Sequence, residues 1–255
     1  MPFTPAHPAY ALPLRRLGLP TSGLVIGSMV PDVPLFVGGV VPGLPVAPAY
    51  AHTHSWWGLA TTNLVVGLIG WVVWEFILRP ALYDGLPRRV RERSGALAEG
   101  VRSGARLLWT VPSAVLLGAA THVGLDEFSH RGRWAATHVA WFRDTHAGLL
   151  GTSWVQYGAG ALGLAILAVV LVRGWLRAEP IASPTLAPRW AAAVWAAPLV
   201  VAAIAVALSL AAAASGTPLP RLAFTLVTTA GAAMLVTSVG AALVWRVVVG
   251  SRPAE

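Results

Sequence analysis

The stretch AATHVGLDEFSHRG, residues 119–132, joins the end of an apolar segment to three residues of the kind that bind metal ions. It places His122, Asp126 and His130 four residues apart. On an α-helix, four residues turn the chain by about 400° and rise by about 6 Å, so His122 and Asp126 face the same way. On a continuing helix His130 would lie about 12 Å beyond His122, too far to share its ion unless the helix ends before Gly132. The pattern predicts a metal site at the end of a membrane-spanning helix.

The composition around this stretch indicates an integral membrane protein. Of the 255 residues, 56% are hydrophobic and 11% are charged, and the mean hydropathy is +0.68. A segment of about twenty apolar residues can cross roughly 30 Å of hydrocarbon. The segments that meet this length are residues 56–78, 107–125, 153–172, 191–214 and 222–249, with residues 22–41 as a sixth whose crossing is open. We therefore expect an all-α polytopic bundle of five to six transmembrane segments.

The sixth segment, residues 22–41, carries Asp32 between two prolines. Prolines on both sides disfavour a regular helix, and a buried carboxylate costs several kcal/mol unless it is paired or bound to a cation. Irregular backbone at membrane depth is tolerated where it lines protein or a polar cavity. We predict that Asp32 is functional and that this segment is re-entrant, or packed in the bundle without crossing. The N-terminus then lies on the outer side, despite Arg15 and Arg16.

The distribution of arginine predicts how the chain is oriented in the cell membrane. Seven arginines lie in the loop of residues 79–106, which the positive-inside rule places in the cytoplasm. Threading outward from this loop puts residues 126–152 outside, so that His54 and His122 both lie on the non-cytoplasmic side. Because the arginines lie mainly between spans, orientation and anionic lipid headgroups account for them, and we expect no nucleic-acid partner.

Reactive side chains are confined to the first part of the chain. Residues 1–153 contain all seven histidines and all four aspartates, whereas residues 154–255 consist largely of alanine, leucine and valine. We predict a metal-site half over residues 1–153 and a scaffold of C-terminal transmembrane helices over residues 154–255. The chain has no cysteine and no lysine, which excludes thiolate ligands, disulfides and lysine Schiff-base chemistry.

Two more segments offer ligand side chains. FTPAHPAY contains His7, and AYAHTHSWWG contains His52 and His54. In an extended segment, histidines two apart point to opposite sides, so one would bind metal and the other would not, unless the backbone bends into a clamp. We predict a metal-bound water as the reactive group, with Asp32 and Asp126 as candidate orienters. The predicted metal ligands are His7, Asp32, His54, His122 and Asp126, with His52 and His130 as secondary candidates.

Four segments, MPFTPAHP, GSMVPD, HTHSWWG and THVGLDEFSHRG, together closely resemble a bacterial membrane family called domain of unknown function 4184. More distantly, the chain is similar to inner-membrane proteins described as metal-dependent hydrolases. Those proteins carry an early His, a Pro-Asp pair, a Thr-His-Ser and a late His-x3-Asp in the same order. The matching residues here are His7, Pro31, Asp32, Thr53, His54, Ser55, His122 and Asp126.

The resemblance implies a hydrolase, and the ligand types favour a particular class of metal. Imidazole and carboxylate without sulfur suit Zn²⁺, with Mn²⁺ or Fe²⁺ as alternatives. A metal with an open position lowers the pKa of bound water to about 7. Pro34 stands where the hydrolase group often has a second acidic residue, and His130 lies outside its pattern, so the number of ions stays open.

We therefore expect a membrane-bound hydrolase that acts on a phosphoester or other ester of a lipid or lipid-linked substrate at the outer membrane surface. Two alternatives stay open. A transport or binding protein for protons or divalent metal would also place Asp and His within the membrane. A scaffold that keeps metal only for folding would share the ligands but lack activity. The sequence does not indicate an oligomeric state.

Overall fold

A computed structural model describes residues 4–41, 43–95, 104–181 and 188–250, and over these residues the protein is a bundle of helices with one two-stranded hairpin. Six helical segments are long and apolar enough to cross a membrane, the upper end of the five to six that the sequence predicts. The expectation of an all-α polytopic bundle is confirmed. The six segments are Thr21–Gly38, Trp56–Asp84, Leu107–His138, Gly151–Arg177, Ala192–Ala212 and Leu219–Val248.

The first half consists of short helical pieces. An N-terminal arm comprises a 3₁₀ turn Thr4–Ala6, α1 (Pro8–Ala11) and a 3₁₀ helix Leu12–Leu17. It is followed by α2 (Thr21–Gly27), a 3₁₀ turn Val30–Asp32, α3 (Val33–Gly38) and α4 (Val46–Thr53). The next long helix comprises α5 (Trp56–Gly58), α6 (Leu64–Val73) and α7 (Arg79–Asp84), joined by π-helical turns Leu59–Asn63 and Trp74–Leu78.

The remaining elements include four long, regular helices. In chain order, these elements are α8 (Arg88–Glu92), α9 (Leu107–Ser129), α10 (Trp134–His138), α11 (Ala140–Arg143), the antiparallel strands β1 (Thr145–His146) and β2 (Leu149–Leu150), α12 (Gly151–Arg177), α13 (Pro188–Ala212) and α14 (Leu219–Gly250). The four long helices are α9, α12, α13 and α14. Small residues along these helices permit close packing, as is common in membrane bundles.

The N-terminal arm runs along α9 from one end to the other. His7 lies beside Asp126, near the C-terminal end of α9. Gly18 lies beside Arg106, just before α9 begins: a Cβ built on Gly18 would be 2.8 Å from Arg106 Nη2. Each of the two prolines in the arm's helices stands in a first turn, where a missing N–H costs no helical hydrogen bond, so the arm stays helical.

Helix α2 then returns parallel to α9. Gly23 contacts Ala114, and further along the backbone carbonyl of Ser28 meets the His122 ring. The arm is therefore an additional segment that runs along the bundle, and the prediction from the sequence did not include it. Because of this path, His7 and Asp32 lie at the same end of the bundle whether or not residues 22–41 are re-entrant. Their meeting is therefore no reason to expect re-entrance.

The arginine-rich segments share the end of the bundle away from His7. Arg93 donates to the carbonyls of Trp175 and Ala178, at the C-terminal end of α12. The opposite end of α12 approaches α9 through the Gln156–His130 hydrogen bond. Because the arm turns at Gly18, its two arginines also lie toward the Arg106 end. Arg15 and Arg16 therefore indicate the same orientation of the chain as the other arginines of these segments.

Two glycines set the distance between α2 and α9. A Cβ on Gly27 would lie 2.2 Å from the carbonyl oxygen of Val115, and one on Gly118 would lie 2.4 Å from that of Leu24. Both contacts are with backbone, which cannot rotate away. This close approach holds the Val30–Asp32 turn at the level of His122.

We expect Gly27→Ala to destabilise the protein, because the added methyl group would force α2 and α9 apart. Overpacking of this kind costs about 1–3 kcal/mol. The measurement is the thermal unfolding midpoint in detergent, followed by tryptophan fluorescence. Gly158→Ala is the matched control, because a Cβ at this α12 position meets nothing within 4 Å. Equal midpoints for the two variants would contradict the close packing.

Candidate metal centre

Five ligand-type side chains converge at one level of the bundle. They come from the start of α1, the turn before α3, the residue that follows α4, and two successive turns of α9. All five are buried in an otherwise apolar helical protein. The converging residues are His7, Asp32, His54, His122 and Asp126.

Four atoms of this group, which we call the cage, face one another at short distances. His54 Nε2 lies 3.6 Å from Asp32 Oδ1 and 3.2 Å from Asp126 Oδ2. His122 Nε2 lies 3.6 Å from each of the same two oxygens. Ligands about 2.0–2.2 Å from a tetrahedral ion are separated from one another by about 3.3–3.6 Å. These four nitrogen–oxygen distances match the spacing of ligands in a zinc-type coordination shell.

Hydrogen bonds to backbone carbonyls orient the two cage histidines. His54 Nδ1 lies 2.9 Å from the Tyr50 carbonyl oxygen, and His122 Nδ1 lies 2.7 Å from that of Ser28. A carbonyl can only accept, so each Nδ1 carries a proton, and in the neutral ring each Nε2 presents a lone pair to the cage. Neither Nε2 has a hydrogen-bond partner. Fixing a tautomer through the second ring nitrogen is typical of histidines that bind metals.

The charges of the cage call for a cation. Asp32 and Asp126 are 3% and 2% exposed, and in the described part of the chain their ion-pair partners are histidines only. Two buried carboxylates that face imidazole lone pairs are strongly unfavourable unless positive charge lies between them. A divalent ion would neutralise both carboxylates and satisfy both free nitrogens.

The same geometry limits the number of ions. Two overlapping sets of residues have suitable spacing, His7 with His122 and Asp126, and Asp32 with His54 and His122. Both sets include His122, whose Nδ1 is already bonded to Ser28. Because a single nitrogen lone pair binds one ion, only one of the two sets can hold an ion at a time.

Residues that the sequence analysis did not select support the cage. Thr4 Oγ1 donates to Asp32 Oδ2, and the Tyr50 hydroxyl lies 3.4 Å from Asp126 Oδ2. Burial and the Asp126 carboxylate raise the pKa of the Tyr50 phenol far above its usual range, so its hydroxyl remains a donor. Tyr50 stands four residues before His54 on α4, and this helical spacing was the available signal.

A single threonine joins two of the sequence motifs. Thr53 Oγ1 donates to the Pro31 carbonyl oxygen at 2.7 Å, and Asn63 Nδ2 donates to the Thr53 carbonyl oxygen at 2.7 Å. These bonds fix the Val30–Asp32 turn against the end of α4, and they bring the Pro-Asp and Thr-His pairs together.

His7 and His130 flank the outer oxygen of Asp126. His7 stacks on His122 with ring centroids 3.7 Å apart, and its Nε2 is 3.9 Å from Asp126 Oδ1. Burial and the neighbouring His122 lower the pKa of His7 to about 3, so its ring is neutral at neutral pH. Helix α9 ends at Ser129 and His130 is extended, and its Nδ1 lies 3.3 Å from Asp126 Oδ1. This contact joins residues four apart, as helical spacing allows.

His52 lies apart from this group. The segment that was expected to be extended is α4, and helical geometry turns residues two apart to different faces. His52 is exposed, and its Nε2 is 2.9 Å from Thr62 Oγ1. His54 thus faces the cage and His52 faces away, because the segment is helical and not because it is extended.

A cavity of about 300 Å³ opens beside the cage. His7, Asp32 and Asp126 line it, whereas His54 and His122 lie behind them. The far wall is apolar, and part of it comes from α12 and α14. The half of the chain predicted as scaffold thus contributes wall residues, among them Ala159, Gly160 and Phe224.

We expect the purified protein to bind about one divalent ion per chain, and His122→Ala and Asp32→Ala to lose it, because each removes a cage ligand. Elemental analysis after dialysis measures the ion content, and size-exclusion chromatography checks that each variant is folded. His52→Ala is the control and should retain the ion. Folded cage variants with the metal content of the wild type would contradict the site.

Comparison with known proteins identifies the family. No curated protein and no solved structure matches this chain. The family described as domain of unknown function DUF4184 matches residues 1–251, nearly the whole sequence. The match covers all four motif segments and all five converging residues. The chain therefore belongs to the DUF4184 family.

Proposed function

We propose that this protein is a membrane-bound metal-dependent hydrolase that cleaves a phosphoester or other ester of a lipid or lipid-linked substrate. The observation that carries the proposal is the four-atom cage of two histidines and two aspartates that borders a cavity. The distant similarity to metal-dependent hydrolases in the order of these residues agrees with it. Imidazole and carboxylate ligands without sulfur favour zinc, with manganese or iron as alternatives.

The side chains divide into holding and reacting groups. His54 and His122 would hold an ion from the closed side, and Asp32 and Asp126 would hold it from the cavity side. When bound, a divalent ion lowers the pKa of water to about 7 and so makes it nucleophilic. Asp126 Oδ1 faces the cavity between two histidines and orients this water.

Hydrolysis requires a base and an acid at the cavity wall. The water oxygen bonds to phosphorus or to the carbonyl carbon, the ester bond to the leaving oxygen breaks, and the leaving oxygen takes up a proton. We assign proton donation to His130, whose Nδ1 is 3.3 Å from Asp126 Oδ1 and whose Nε2 is 3.1 Å from Gln156. Asp126 Oδ1, an oxygen that the cage does not use, would accept the proton of the attacking water.

The arginine distribution supports a site on the non-cytoplasmic side. Residues 79–95 and 104–106 and the turn of the N-terminal arm lie at the end away from the cage, and we place that end in the cytoplasm. The cavity then lies near the outer surface of the cell membrane, where a lipid-like substrate can reach it by diffusing in the bilayer.

Single cysteines test this orientation, because the chain has no natural cysteine. We expect a membrane-impermeant maleimide to label Ser215→Cys, in the exposed turn between α13 and α14, in intact cells. Leu17→Cys and Arg88→Cys should react only after permeabilisation, because Leu17 and Arg88 are exposed at the opposite end. Labelling of Leu17→Cys together with Ser215→Cys would contradict the path of the N-terminal arm.

A second candidate function is a metal-stabilised scaffold. The observation that favours it is the four-ligand cage itself, since structural zinc sites are closed tetrahedra and catalytic sites keep a position open. The cavity that reaches both aspartates favours catalysis instead. Transport has less support: within the described ranges, no further group of three ligand-type residues continues along the bundle.

Turnover separates catalysis from scaffolding. We expect zinc-loaded protein to hydrolyse long-chain p-nitrophenyl phosphodiesters or acyl esters, and His130→Gln to lose about 100-fold in kcat while it keeps the ion, because a proton donor is removed. Release of p-nitrophenol measures kcat, and elemental analysis measures the ion.

His138→Gln is the control, because His138 is exposed on the same side of the protein and bonds only locally, to Thr137 and the Trp134 carbonyl. Its kcat should equal that of the wild type. A fully loaded protein that hydrolyses neither ester class, but unfolds at a lower temperature without metal, would establish the scaffold instead.

A further inference from the structure

We propose that the ligand of the cavity is a lipid with a phosphate headgroup, and that a polar pocket beside the metal centre binds this phosphate through Arg131. The inference rests on the proposed function, because it names the substrate class of the same site. It starts from a second depression, of about 340 Å³, whose described lining residues are all polar. Arg131, Arg133, Ser153 and Gln156 are among them, and no carboxylate is.

The two arginines of this pocket differ in their partners. Arg133 donates to the His54 carbonyl oxygen at 3.2 Å and pairs with Glu127 at 3.5 Å, so its guanidinium is already engaged. Arg131 is exposed, and within the described part of the chain it forms no hydrogen bond or ion pair. An unengaged guanidinium at a pocket without acidic residues is suited to bidentate binding of phosphate.

The start of α12 adds to the positive potential of the same pocket. Thr152 and Ser153 lie in its first turn. The Gly151 N–H donates to the Asp144 carbonyl oxygen, and the preceding Leu150 has no side-chain group to cap the N–H groups that follow. Helix N-termini favour anions through these N–H groups and through the helix dipole. Arg131 and this helix end therefore act on one anion position.

The pocket continues into the cavity beside the cage. Both depressions are lined by Tyr50, Ser129, His130 and Gln156. Beyond them the cavity wall becomes apolar, with Leu35 from α3 and residues of α12 and α14. A ligand that fits this sequence of surfaces has an anionic head, a polar linkage beside Asp126 and a hydrocarbon chain that lies among the helices. A phosphate-bearing lipid has these features in this order, whereas a neutral lipid leaves the arginine unpaired.

Binding of matched probes in a neutral detergent tests the inference. The probes are oleoyl lysophosphatidic acid, monoolein and inorganic phosphate, with affinities measured by microscale thermophoresis on chelator-treated and zinc-loaded protein. We expect the phosphate lipid to bind wild type at least about tenfold more tightly than monoolein, and Arg131→Gln to remove about that factor, as for a lost charge-assisted hydrogen bond. Monoolein should bind wild type and variant alike.

Arg143→Gln is the matched control, because Arg143 is exposed near the same end of the protein but does not line the pocket. It should leave both affinities unchanged. Equal affinities for the two lipids, or equal losses in the Arg131 and Arg143 variants, would overturn the proposal. Displacement of the lipid by an equal concentration of inorganic phosphate would show a site for free anions and would also overturn it.

Ion content measured on the same samples separates the two proposals. Arg131→Gln should keep the full metal content, because Arg131 does not belong to the cage. A protein that binds no metal but shows the Arg131-dependent preference would refute the metal-dependent hydrolase and support the phosphate pocket. A fully loaded protein without the preference would refute only the phosphate pocket.

Discussion

Two buried carboxylates that face two imidazole lone pairs are the constraint on which this protein depends. Asp32 and Asp126 lie in an apolar bundle with histidines as their described ion-pair partners. Without positive charge between them, this arrangement would cost several kcal/mol. The backbone carbonyls that hold His54 and His122 in one tautomer direct both free nitrogens at the carboxylates. The surrounding fold keeps these groups together, and a divalent cation accounts for their arrangement.

The path of the N-terminal arm makes this arrangement possible. The arm carries His7 from the cage end of α9, turns beside Arg106 and returns through α2, so the residues before and after this hairpin meet at one level. Glycine contacts between α2 and α9 allow the backbones to approach closely enough for His122 to reach the Ser28 carbonyl. Packing of small residues thus sets the dimensions of a polar site.

The surroundings of the cage decide between the chemical possibilities. Four protein ligands alone describe a structural metal site as well as a catalytic one. The cavity that reaches both aspartates and the two histidines beside the outer oxygen of Asp126 favour a reaction. The C-terminal helices contribute no ionisable ligand to the cage, yet Gln156 and Phe224 help to line the cavity. Their part is to shape the space in which a substrate would lie.

Local patterns in the sequence were sufficient to predict the six apolar segments, the facing pair of His122 and Asp126, and the importance of Asp32. These features depend on hydropathy and on the 3.6-residue helical period, which act over neighbouring residues. The family assignment likewise followed from short motifs.

Only the tertiary structure decided the direction of the N-terminal arm and the roles of Thr4, Ser28 and Tyr50. Each depends on a contact between distant segments. No local period encodes such information, because contacts that form only when the chain packs leave no regular spacing in the sequence.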